Sequence, residues 1–203
     1  MRRKTVILAL ALSAGMTLSV QAADFCATPE QAKQVAAFYA ANPGTMPPIT
    51  AARLQLAEAT VVSALDAAHA ASAAGSHFAE VWAAIGSWKE ATFLIMKGDN
   101  VFEIRSAAGR GAPSASSRYF NIEYTQPLRG HLRPDQYASI YAVVLPREGR
   151  TTVRGVVFYD ADGRSVFGAY LSGEGPEPDA GELAKFDELL RLLRSKPAPC
   201  ARD

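Results

Sequence analysis

The hydrophobic pattern changes period once along the chain. Before residue 90, apolar side chains recur at helical spacing. Thr28 is placed to cap a helix that opens on Pro29, carries Glu30 and Gln31 in its first turn and runs to about Ala41, where Asn42-Pro43-Gly44 stops it. Thr50 to Leu56 predicts a short second helix, and Glu58 to Ala68 a third with Val61, Val62 and Leu65 on its apolar face. Ala70 to Ser76 reads as a linker of small residues. Phe78, Val81, Trp82 and Ile85 then sit at i, i+3, i+4 and i+7, an amphipathic helix ending near Gly86.

From Ala91 the period is that of strands. Ala91–Met96 and Val101–Arg105 flank Lys97-Gly98-Asp99-Asn100, a hairpin turn, and residues 106–117 are rich in Ser, Ala, Gly and Pro, which predicts a mobile loop. Arg118–Tyr124, Leu128–Arg133, Tyr137–Leu145, Thr151–Tyr159 and Arg164–Leu171 are the remaining strands, the last two joined by Asp160-Ala161-Asp162-Gly163. After the break at Gly173 to Pro178, Leu183, Phe186, Leu189, Leu190 and Leu193 line one side of a final helix, Ala180 to Arg194. Helices, a run of hairpin-linked strands and one closing helix predict an α+β fold with a mainly antiparallel sheet.

The first residues bear on compartment. Arg2, Arg3 and Lys4 precede an uncharged apolar run, Val6 to Val20, with small residues around Ala22, the pattern of a secretory signal peptide cleaved near Ala22. The run is shorter than the roughly 20 residues that span a bilayer. The expected product is periplasmic or secreted, with no membrane attachment after cleavage. Setting aside residues 1–22 of 203 leaves a helical segment (23–90) and a sheet with its C-terminal helix (91–203), read as one compact domain. Of 21 cationic side chains 18 then remain against 20 carboxylates, a net charge of about −2. With no basic stripe, the helix-turn-helix likeness of the second and third helices does not point to nucleic acid. Cys26 and Cys200 lie near the two ends; an oxidising compartment permits one disulfide between them, and the alternative is two free thiols on frayed ends.

Catalytic patterns are sparse. No G-x-S-x-G, H-E-x-x-H or Cys/His metal spacing occurs, and Gly109-Arg110-Gly111 lacks the strand-to-helix setting of a phosphate loop. His69 and His77 adjoin Ala-rich helical sequence, where solvated or capping roles are expected. The informative stretch is Arg118 to Arg133. His131 follows Gly130, and Arg129 and Arg133 lie two positions away on either side, which in a strand puts all three on one face. Tyr119, Phe120 and Tyr124 precede them. A nitrogen ligand, cations and flat apolar walls suit a large, planar, anionic cofactor, while a strand histidine taken alone is more often a hydrogen-bonded structural residue.

These residues carry a family likeness. Tyr119-Phe120-Asn121, then Gly130-His131-Leu132-Arg133, and FYDADGRSVFGAYL at 158–171 resemble, in order and separation, the haem-utilisation carrier proteins of the HutX/ChuX type, themselves related to half of the HemS/ChuS-type proteins. Asn42-Pro43-Gly44, EATVVSALD and WAAIGSWKEATFLI extend the likeness over nearly the whole chain after residue 22. The resemblance implies a haem-binding dimer, not an enzyme, with His131 as axial ligand of a b-type haem carried as cargo. Some members place a second histidine on the first strand, where this chain has Met96, which is either the opposite axial ligand or a core residue. Arg129, Arg133 and Lys97 are the expected propionate partners, and Tyr119 and Phe120 the ring-packing neighbours. Implied partners are haem, a haem donor or acceptor protein and a second copy of the chain. A non-haem binding or dimeric assembly module on the same fold is the alternative, and haem degradation a third reading.

Overall fold

The computed structural model describes residues 25–97, 100–147, 149–171 and 177–200. The expected signal peptide lies outside them. Among the described residues no helix is long and apolar enough to cross a membrane.

Helix α1, Pro29–Ala41, starts where a full capping box forms. Gln31 N donates to Thr28 Oγ1 (3.2 Å), and Thr28 N donates to Gln31 Oε1 (2.8 Å). α2 spans Pro47–Leu54 and α3 Glu58–Ser63. α3 is shorter than its apolar pattern predicts because Asp66 captures the chain in a turn, its Oδ1 accepting from Ala68 N (2.9 Å) and His69 N (3.0 Å). The stretch from Ala70 is not a linker. Ala70–Ala74 is strand β1, paired antiparallel with a later strand from Ala70↔Val143 to Ala74↔Ser139. A run of alanines has no amphipathic signature, yet small side chains are what a strand needs when helices close over it. α4 is Phe78–Ile85, followed by β2 (Ala91–Lys97) and β3 (Asn100–Ser106).

The predicted mobile loop contains strand β4, Gly111–Pro113. Its Gly111 permits a close approach: a Cβ there would lie 2.2 Å from Cε1 of Phe120. β5 (Phe120–Ile122) and β6 (His131–Leu132) are much shorter than predicted, and with β4 they form a separate three-stranded sheet in the order β4-β5-β6. β7 (Ser139–Arg147), β8 (Arg150–Tyr159) and β9 (Ser165–Leu171) complete a six-stranded antiparallel sheet in the order β1-β7-β8-β9-β2-β3. α5 occupies Ala180–Arg194, as its periodicity predicts, with Asp179 Oδ1 accepting from Glu182 N (3.0 Å) as cap.

Each face of the large sheet has its own core. On one face α4, α5 and the small sheet bury Trp82, Trp88, Phe78, Phe120, Phe158 and Phe186. On the other, α1 to α3 cover Tyr141, Val143, Val157 and Tyr159. Cys26 and Cys200 are bridged, with Cα atoms 5.5 Å apart and a sequence separation of 174, so the free-thiol alternative falls.

Glu58 is buried in the second core, where it accepts from Tyr159 Oη (3.1 Å). Burial raises its pKa above 4.5, and hydrogen bonds from Ser165 and Tyr159 offset only part of that. The folded state therefore holds this proton more tightly than the unfolded chain. Its stabilising contribution is full below about pH 4.5 and declines as pH rises through the folded pKa. Glu58→Gln keeps a hydrogen-bond acceptor for Tyr159 and removes the ionisation. Urea midpoints measured from pH 4 to 7 should fall for the wild type relative to Glu58→Gln; parallel curves would contradict this.

Candidate functional site

The small sheet presents His131. Alternation sends Phe120, Ile122 and Leu132 down onto the core and turns their neighbours Asn121 and His131 outward. The register sets Asn121 directly opposite His131, and Asn121 Oδ1 accepts from His131 Nδ1 at 2.7 Å. With its proton on Nδ1, the neutral imidazole leaves the Nε2 lone pair unused. This is how a second residue fixes both the tautomer and the ring orientation of a metal ligand.

His131 is exposed. It borders an open hollow of about 550 Å³, lined also by Ser114, Ser117, Tyr119 and Asn121. That volume falls within the roughly 300–1,000 Å³ of small-molecule and cofactor sites. The Tyr119 ring stands edge-on to the imidazole with centroids 5.8 Å apart. Gly130 adds room, since a Cβ built there would meet only Ile122 Cδ1, at 3.8 Å.

The cations are arranged differently from expectation. β6 is too short to hold Arg129, His131 and Arg133 on one strand face. Arg133 forks onto Asp135 through Nε and Nη2, both at 2.8 Å, while its Cζ lies 5.7 Å from the Tyr119 ring centroid. Arg118 Nη1 approaches the same carboxylate at 3.9 Å. The Arg133 guanidinium holds the Asp135 carboxyl below the usual carboxylate range, and Asp135 raises Arg133 in turn. Arg118, Arg133 and Asp135 thus sum to one positive charge beside the hollow. Arg129 lies over Tyr124, 5.6 Å from its ring centroid.

Three predicted residues lie elsewhere. Phe120 is 4% exposed and packs edge-on against Phe78 (5.1 Å) and Trp82 (6.1 Å), so it supports the small sheet from beneath instead of walling the hollow. On β2, Phe93 and Ile95 belong to the face that carries the small sheet, and alternation puts Met96 on the other. Met96 and Lys97 line a separate hollow of about 900 Å³ with Glu58, Asp160 and Arg164. One chain therefore does not bring Met96 to His131. Asn121, Arg118 and Asp135 received no role from sequence. Asn121 sits inside the Tyr-Phe-Asn motif, but its bond to His131 depends on a strand register that residue spacing does not disclose.

Comparison with known proteins gives three results. The family model described as haem utilisation ChuX/HutX matches residues 71–189. No curated protein matches the sequence. Among solved structures, a protein from Agrobacterium tumefaciens is similar at 28% identity and TM-score 0.69, over 81% of this chain and 92% of its own. A protein from Erwinia carotovora has 26% identity and TM-score 0.70, over 78% and 98%. The haem-binding protein ChuX shares the fold at 18% identity and TM-score 0.69, over 79% of this chain and 99% of its own.

Proposed function

This chain belongs to the ChuX/HutX haem-utilisation family, and we propose that it is an exported haem-binding protein that holds b-type haem as cargo without transforming it. The observation that carries the reading is His131, which donates Nδ1–H to Asn121, keeps its Nε2 lone pair for a metal and borders an open hollow. His131 Nε2 is the proposed axial donor and Tyr119 a flanking wall. Arg129, Arg133 and Arg118 are the partners for the propionate carboxylates, with Asp135 tempering their charge. The position opposite His131 falls to water or to a donor from a second chain, since Met96 lies on the far side of the sheet. Covalent attachment is not expected, because the only two cysteines are joined to each other. That bridge also supports the periplasmic or secreted reading. A homodimer that receives haem from one protein and passes it to another completes the proposal.

The first test asks whether haem binds. Trp82 and Trp88 are the only tryptophans. Haemin titrated into the oxidised protein should quench their fluorescence with saturation at one equivalent per chain, and iron-free protoporphyrin should bind more weakly. Unsaturable quenching, or equal binding of both tetrapyrroles, would contradict the reading.

A further inference from the structure

Haem binding leaves His69 unused, and the turn that ends α3 holds this residue firmly. Asp66 Oδ1 accepts from the backbone N of Ala68 and of His69, and also from His69 Nδ1 at 2.7 Å. The carbonyl oxygen of His69 accepts from Val144 N (2.8 Å), so β7 fixes the residue from its other side. With Nδ1–H donated to Asp66, the neutral imidazole keeps the Nε2 lone pair. Among the described residues no hydrogen bond occupies Nε2.

Exposed Asp66 and half-buried His69 stand at the rim of a cleft of about 400 Å³ between α1, the end of α3 and the end of β7. Val35, Leu65 and Leu145, all buried in the second core, form its floor. α1 turns Val35, Ala36, Tyr39 and Ala40 toward it at helical spacing. Ala36, Ala40 and Ala64 are too small to fill the gap, which is why a cleft remains. Tyr39 supplies its ring as a wall, since its hydroxyl is shut away from solvent beside Thr50. A mostly apolar hollow with a few placed polar groups is the usual form of a small-molecule site, and this volume lies within their range of roughly 300–1,000 Å³.

The polar pair narrows the occupant. A lone pair accepts, so the head group must donate a hydrogen bond. A carboxylate would bring a second negative charge to an imidazole already paired with Asp66, and like charges at such range repel. An ammonium would carry its charge and three donors in among apolar walls. A hydroxyl gives Nε2 one donor and has no charge to desolvate, and a flat ring suits the Tyr39 wall. We propose that this cleft binds a compact, uncharged aromatic molecule whose hydroxyl donates to His69 Nε2. The site is separate from that of haem: it lies on the other face of the large sheet, and none of its lining residues borders the His131 hollow.

The test is calorimetric titration of the oxidised, haem-free chain at neutral pH with three probes built on one ring system: naphthol, methoxynaphthalene and naphthoate. Naphthol should saturate at one equivalent and bind about three- to tenfold more tightly than methoxynaphthalene, the ratio expected of one hydrogen bond. Naphthoate should bind more weakly than naphthol. His69→Phe keeps a ring at the rim without the acceptor, and should bind naphthol and methoxynaphthalene alike. Ala36→Trp fills the cleft and should bind neither. Both variants are compared with the wild type at matched circular dichroism. No saturable binding of naphthol, equal wild-type affinities for naphthol and methoxynaphthalene, tighter binding of naphthoate, or full naphthol affinity in Ala36→Trp would each overturn the proposal. Haem binding is read separately by tryptophan quenching, so either site can fail its test without the other.

Discussion

Replacing both Cys26 and Cys200 by alanine is expected to lower the free energy of unfolding by about 3–5 kcal/mol. The bridge spans 174 positions, nearly the whole described chain, so its loss frees the unfolded ensemble from one large loop constraint. The folded state loses as well. Phe25, beside Cys26, is 3% exposed in the core beneath α1 to α3, and Tyr141 Oη donates to Cys200 Sγ at 3.4 Å. Among the described residues of the arm before α1, the bridge acts together with the burial of Phe25 and the bond from Ala27 N to Ser63 Oγ at 2.9 Å. Fraying should therefore begin there. Urea unfolding of the double variant, compared with oxidised wild type, measures the effect. A midpoint unchanged within error would mean that the ends are held by packing alone.

Trp82→Ala should cost a similar amount, about 3–5 kcal/mol. Trp82 is 2% exposed and joins three layers of the first core. Its ring stacks on Phe78 of α4 (5.7 Å), meets Phe93 of β2 (6.3 Å) and Phe167 of β9 (6.3 Å), and touches Phe120 of β5 (6.1 Å). The last contact ties stability to function, because Phe120 is the underside of the sheet that presents His131. Truncation should loosen that sheet before the six-stranded sheet melts. Amide exchange at Asn121 and Leu132 should accelerate more than at Val156 or Val157. Uniform acceleration across both sheets would show that Trp82 contributes to global stability only.

The parts legible in sequence are those whose signals are local. α1 announces itself through Thr28, Pro29 and Gln31, and α5 through the stripe of Leu183, Phe186, Leu189, Leu190 and Leu193. The turn signals read at 97–100 and 160–163 mark where β2 pairs with β3 and β8 with β9. What the sequence does not disclose depends on distant partners. β1 is an alanine run that becomes a strand only because β7 pairs with it, and β4 depends in the same way on β5. The site divides along the same line. His131, Tyr119 and the nearby arginines are legible as residue types. Asn121 as the partner of His131 follows only from the β5–β6 register, and the separation of Met96 from His131 only from knowing which sheet face each side chain takes.

Ligation of iron by His131 is tested most directly by the ferric absorption spectrum of the haemin-loaded protein. The wild type should show a Soret band shifted from that of free haemin, and His131→Ala, matched for circular dichroism, should lose or displace it. Superimposable spectra for the two proteins would remove His131 as the ligand.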